Sequence, residues 1–307
     1  MTRQVELPFT PSYFTAKNRI GVSGIIANAK RTGANWFINH CVQWALTESD
    51  SKTAPISLGI PQSIHWNFPF VSGAPFQSHL IKNCFHTVIK RCLNTGHYLY
   101  YWGADDHLIS NKKQYGIPHY NNDGMISGYD GDTSYTIVAY NQQNDFDRFK
   151  VSQESLFDSI YSENADEDSQ IHAFKIDNHK DISIDVNLIK SKVIEYLNPC
   201  EDPDGIRRGM AVYDRLDRLI NLDPVYRFEV AKLIFEHKKC MLERIKIYED
   251  MLCMENYLSD RYTGVVEDSN ELLSNILSDA LNEYYVNHLI NNMKNLELEI
   301  LTELTCI

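Results

Sequence analysis

Two runs on either side of Asp130-Gly131-Asp132 constrain this chain more than any other feature. The first ends in Gly128-Tyr129-Asp130, and the second, Ser134-Tyr135-Thr136-Ile137-Val138-Ala139-Tyr140, is rich in β-branched and aromatic residues. Such runs joined by an Asp-Gly turn fold back as antiparallel strands. Asn141 closes the second strand. Upstream, His97-Tyr98-Leu99-Tyr100-Tyr101-Trp102 is bounded by Gly96 and Gly103 and reads as a buried strand. The patterns after Ser152 are mainly helical, so the chain is expected to be α+β.

Ahead of the sheet lies Gly33-Ala34-Asn35-Trp36-Phe37-Ile38-Asn39-His40-Cys41-Val42-Gln43-Trp44-Ala45-Leu46. Phe37, Ile38, Cys41, Trp44, Ala45 and Leu46 follow the three-four spacing of a buried helical face, and Gly33 and Asn39 are helix-start residues. A helix beginning near Asn39 would put Cys41 in its first turn, where free N–H groups and the positive dipole end favour a thiolate. The other reading of Cys41 is a small core residue.

A thiolate nucleophile needs a base. His119 follows the Gly116-Ile117-Pro118 turn and precedes the Gly-Tyr-Asp strand, and Asn141 ends the next one. Cysteine on a helix, then histidine, then Asn or Asp on successive strands is the order of parts in papain-like enzymes.

Cys41, the Asn35-x5-Cys41 spacing, Trp44-Ala45 and the His119…Gly128-Tyr129-Asp130…Asn141 block resemble the papain-like and bacteriocin-leader-peptidase-like superfamily. The helical second half is similar to that of the cysteine-peptidase-like acyltransferases and amide synthetases of antibiotic and thiotemplated assembly lines. The resemblance implies a papain-like fold, with a helix packed on an antiparallel sheet and a mainly helical C-terminal half. It implies that Cys41 takes an acyl group from a phosphopantetheinyl carrier-protein thioester and passes it to a small amine acceptor. His119 would be the base, Asn141 its orienter and Asn35 an oxyanion donor. Asn35 stands where relatives carry Gln. Relatives place the histidine six residues before the Gly of Gly-Tyr-Asp, where this chain has Asn122. Either the approach to the strand is lengthened and His119 takes the role, or the base has been lost. A peptidase or amidase, and an inactive carrier-binding relic, are the competing readings.

Composition narrows the partners. With 307 residues and 43% hydrophobic content the chain can bury a sizeable core in one large or two ordinary domains. A net charge of −12 argues against a general role on nucleic acid. Seven cysteines without CxxC spacing, and first residues lacking an apolar secretory core, lead to the expectation of a reduced, cytoplasmic protein. No stretch approaches the ~20 apolar residues that span a bilayer. Walker, G-x-S-x-G and H-E-x-x-H patterns are absent, and no metal or resident cofactor is expected.

The rest of the chain supplies scaffold. Residues 1–32 read as an extended arm, and the Pro- and aromatic-rich segment from Ile56 to Pro75 as either a cleft wall or a cap on the core. A helix over 79–93 is expected to turn Leu80, Cys84, Val88 and Cys92 inward, and Asp105, Asp106 and His107 to form a solvated strand-end turn. The acidic segment 162–169 reads as an exposed linker between a catalytic core, 1–162, and a helical region, 170–307, although 170–184 could add a strand. Helices are expected at 186–197, 205–219, 224–252 and 270–304, the third opened by Asp223-Pro224. Its apolar stripe is buried within the chain by default, or pairs two chains, so monomer and dimer both stay open. Arg207, Arg208, Arg215, Arg218, Lys232, Lys238, Lys239, Arg244 and Lys246 are read either as an acidic-carrier docking face or as solvated helix charge.

Overall fold

The hairpin forms as the sequence requires. In the computed structural model, residues 4–8, 29–40, 43–48, 56–59, 68–112, 115–117, 121–143, 146–166, 169–177, 179–198, 200–201, 206–278 and 282–307 are described. The elements run β1 (Gln4–Glu6), α1 (Lys30–His40), β2 (Ala45–Glu48), β3 (Ile56–Gly59), β4 (Val71–Gln77), a 3-10 helix (Ser78–Cys84), α2 (Phe85–Asn94) and β5 (Tyr98–Asp105). There follow β6 (Asn121–Asp130), β7 (Ser134–Tyr140), β8 (Phe146–Ser152), α3 (Gln153–Ile160), β9 (Gln170–Ile176) and α4 (Val186–Leu197). The chain ends with β10 (Cys200–Glu201), β11 (Arg207–Arg208), a long 3-10 helix (Gly209–Asn221), α5 (Pro224–Met251), α6 (Tyr257–Leu277) and α7 (Glu283–Cys306).

The fold is α+β and divides into two units, 1–34 with 65–182 and 35–64 with 183–307. This division differs from the one read at the acidic segment. In the first unit a seven-stranded antiparallel sheet runs β4-β9-β5-β6-β7-β8, with β1 paired to β6. β9 lies between β4 and β5, so the sheet continues past residue 162, and the further strand expected within 170–184 forms over Gln170–Ile176. The β6–β7 turn needs a positive φ at Gly131 (55°), which glycine takes without a Cβ penalty. Ser152 caps α3, its hydroxyl accepting from the Ser155 N–H at 2.9 Å.

Helix α2 buries Phe85, Ile89 and Leu93. The expected inner face was rotated: Leu80 and Cys84 are exposed, and Val88 and Cys92 only half-buried. The first turns are 3-10, and the change of helical period moves the apolar stripe by about one residue.

The second unit is mainly helical around one core. Trp44, Leu46, Tyr196, Val212, Ile234, Met241, Tyr262, Met293 and Leu301 are among its buried members. The stripe of α5 is covered here, with Ala231, Ile234, Met241 and Ile245 buried. The helix expected over 270–304 is two helices. Asn282 caps α7 by accepting from the Tyr285 N–H at 3.2 Å, so a new helix starts where a continuous one was expected. Glu249, fully buried at the end of α5, accepts from the N–H groups of Leu258 and Ser259 and so satisfies the first turn of α6. Among the described residues no helix is long and apolar enough to cross a membrane.

Candidate functional site

Of the four residues read as catalytic, Cys41 and His119 lie outside the described residues. Asn35 is half-buried in the part of α1 that belongs to the second unit, and Asn141 is half-buried directly after β7 in the first. The placement of the helix corrects the argument for the thiol. α1 begins at Lys30 and its described residues run to His40, so Asn39 lies well past its start rather than at it. The helix start near Asn39 on which the thiol argument relied is therefore not there. Glycine at 33 and the apolar pair Phe37-Ile38 fit a helix running through this segment as well as one starting in it, which is why spacing alone misplaced the start.

The residues flanking 41–42 are tightly held within the second unit. Arg244, 1% exposed, donates from Nε to the Ile38 carbonyl at 2.7 Å. The Asn39 amide donates to the Ser183 carbonyl and accepts from the Asp185 N–H, both at 3.0 Å. Beyond the pair, the Trp44 indole N–H donates to the Gly209 carbonyl at 2.6 Å, and its ring stacks on His237 with centroids 4.6 Å apart.

Next to Trp44 lies a buried ion pair that sequence reading missed. Lys238 Nζ sits 3.8 Å from the Trp44 ring centroid and donates to Glu297 Oε2 at 2.8 Å, both side chains fully buried. Tyr196, Tyr213 and Tyr262 also donate to the Glu297 carboxylate. Burial lowers the Lys238 pKa to about 8 against the pull of Glu297. The three phenols are pushed well above 10, first by burial and then by Glu297. Lys238 and Arg244 thus leave any docking face, because both are interior. A lysine and a glutamate in amphipathic helices read as solvated; only their alignment with the apolar stripe could have signalled burial.

In the first unit the open end of the β6–β7 hairpin carries a second polar cluster. Pairing of the two strands is last seen at Met125 with Val138, and continuing that register would set Asn122 opposite Asn141. Instead Asn141 bridges to Lys112, and the Gln142 N–H donates to the Asn111 carbonyl at 3.0 Å. Lys112 Nζ forms a buried ion pair with Asp106 and donates to the Asp123 carbonyl at 2.9 Å. Asn122, at the position where the sequence resemblance led to the expectation of a histidine, hydrogen-bonds the Asp106 carboxylate. Burial raises the Asp106 pKa, and Lys112 only partly opposes it. On β5, Tyr100 donates to Asp123 Oδ2 at 2.6 Å, and its phenol is held neutral by burial and that carboxylate.

These contacts correct two expectations. Asp105 and Asp106 are each 1% exposed, so the strand-end turn is a buried cluster rather than a solvated one. The acidic segment is docked at its described residues: Ser162 donates to Asp105 Oδ2 at 3.0 Å, and Asp166 accepts from the Asn121 amide at 2.8 Å. The glycine of Gly-Tyr-Asp also has a packing reason. A Cβ at Gly128 would come 2.5 Å from the Val5 carbonyl oxygen of β1.

The described free cysteines comprise Cys84, Cys253 and Cys306, exposed, Cys92, half-buried, and Cys240, buried. Cys84 and Cys92, expected to face inward, are thus exposed and half-buried. No protein-family model matches the chain, and no curated protein matches it.

Proposed function

We propose that this chain is a cysteine-dependent acyltransferase of papain-like architecture, in which Cys41 carries an acyl group from a carrier-protein thioester to an amine. The observation that carries the reading is the antiparallel β6–β7 hairpin. It brings the start of the strand that follows His119 and the end of the strand before Asn141 to one end of the sheet, as the order Cys–His–Asn requires. The acyl donor, amine acceptor and cytoplasmic setting come from the resemblance and composition.

The Cys41 thiolate, its proton held by His119, attacks the thioester carbonyl; the new C–S bond forms, the carrier's C–S bond breaks, and the carrier leaves as a thiol by taking that proton from His119. The amine then attacks the acyl-enzyme, a C–N bond forms, and the Cys41 C–S bond breaks. His119 takes the amine proton and returns one to the thiolate, Asn141 orients its ring, and Asn35 with the Cys41 N–H holds the oxyanion. Incubation with a carrier-bound thioester and graded amine tests this. Amide should rise with amine and vanish in Cys41→Ala; free acid as the main product at saturating amine would instead mark a hydrolase.

A second reading has its own observation. Asn122 occupies the usual histidine place and is engaged with Asp106, itself paired to Lys112. That arrangement favours a carrier-binding protein without chemistry. Carrier binding with no acyl adduct and no product would establish it.

A further inference from the structure

Opposite its buried face, helix α2 carries a polar one. His86, Thr87, Lys90, Arg91 and Asn94 recur there at helical spacing and, with Asp132 of the β6–β7 turn, line an open groove of about 520 Å³ in the sheet unit. Two buried tyrosines, Tyr129 of β6 and Tyr135 of β7, hold this face from behind, which sets it apart from a merely solvated helix surface. The Tyr135 hydroxyl lies 2.9 Å from His86 Nδ1, and the two rings stack with centroids 6.0 Å apart. The Tyr129 hydroxyl donates to Asn94 Oδ1 at 2.9 Å. Lys90 Nζ sits 5.6 Å from the Tyr129 ring centroid and pairs with Asp132.

Each anchor leaves a hydrogen-bond donor for the groove. Burial, and then the Asp132 carboxylate, raise the Tyr135 pKa, so its phenol keeps a proton to give to His86 Nδ1; the imidazole proton then sits on Nε2. Burial, and then Lys90, lower the His86 pKa against the pull of Asp132, so the ring is neutral at pH 7. The oxygen of Asn94 is taken by Tyr129, which leaves its amide N–H groups. Arg91 is exposed and makes no ion pair among the described residues. Against these donors stands one lining carboxylate, Asp132, whose side chain is 95% exposed and can turn into water. Donors ordered in advance lose little side-chain freedom on binding, and their complement is a group that only accepts.

We propose that this groove binds the phosphate of a small phosphomonoester, with Arg91 and Lys90 supplying charge and His86, Asn94 and Thr87 supplying hydrogen bonds. A volume of about 520 Å³ falls in the range of small-molecule sites and leaves room for the esterified part. The inference goes beyond the acyl-transfer reading and needs neither Cys41 nor His119.

The experiment is an NMR titration of the full chain, isotope-labelled at histidine nitrogen, that follows the His86 ring at constant ionic strength. The probes are α-glycerophosphate, inorganic phosphate and glycerol. In wild type, α-glycerophosphate should shift the His86 signal saturably and raise its titration midpoint, because a bound anion favours the imidazolium. Inorganic phosphate should act the same way but bind several-fold more weakly, and glycerol should do nothing. Arg91→Ala should weaken binding about tenfold. Asp132→Asn should tighten it, since Lys90 loses its competing carboxylate. Both changes fall on exposed side chains. No saturable shift at ester concentrations well above ~1 mM overturns the proposal. So do equal affinities for inorganic phosphate and the ester, wild-type binding by Arg91→Ala, or weaker binding by Asp132→Asn.

Discussion

Two of the described lysines are buried, and their surroundings differ. Lys238 in the helical unit meets a glutamate that also receives three tyrosines, drawn from α4, the long 3-10 helix and α6. Lys112 in the sheet unit meets Asp106, six residues away, and the Asp123 carbonyl, eleven away. The first pair ties distant elements into one core; the second seals one end of a sheet from within a short stretch. A buried pair costs desolvation in either place, so what it secures is a unique arrangement rather than stability as such.

The largest effect should therefore come from Glu297→Ala, which leaves Lys238 and three phenols without their acceptor. We expect a loss of ~3–5 kcal/mol in urea unfolding. Lys238→Met with Glu297→Leu should recover most of it, since the charges leave together. A double variant as unstable as Glu297→Ala would contradict the desolvation argument.

Lys112→Met should cost less, about 2–3 kcal/mol, because the orphaned Asp106 can take up a proton, as its raised pKa already favours. A loss greater than that of Glu297→Ala would reverse the comparison.

The pH dependence sharpens it further. The folded pKa of Lys238 is about 8 against an ordinary 10.5, so between those values the unfolded chain binds more protons. Stability from this group should rise with pH through that window, by at most about 1.4 kcal/mol per unit. Above pH ~10 the sign reverses, since the phenols ionise only in the unfolded chain. Denaturation across pH 7–11 should show the rise in wild type and lose it in Lys238→Met; a rise of equal size in both would exclude Lys238 as its source.

The smallest effect is local. Asn282→Ala removes the cap of α7 and should cost ~1 kcal/mol in the same unfolding assay. A negligible change would mean that packing alone sets where α7 begins.

The elements legible from the sequence were those with a local cause. The Asp130-Gly131-Asp132 turn, the aromatic strand read at 97–102, which the structure extends to Asp105, and the Asp223-Pro224 start of α5 each depend on a few adjacent residues. What escaped depends on distant partners. Glu297 reads as a surface charge until Tyr196, Tyr213, Tyr262 and Lys238 surround it, and Asp106 reads as a turn residue until Lys112 and Asn122 close over it. The candidate site was read as a residue order, Cys41, His119 and Asn141. The start of its helix was misread, because the same apolar spacing fits a helix running from Lys30 as well as one starting near Asn39.

The most direct test of the account is whether an acyl group resides on Cys41. The full chain, mixed with a carrier-bound thioester and no amine, then quenched in acid and digested, should carry the acyl mass on the peptide containing Cys41. That adduct should discharge to amide when amine is added before the quench. Acyl mass on Cys84 or Cys253 instead, or product formed at wild-type rate with position 41 unmodified, would contradict it.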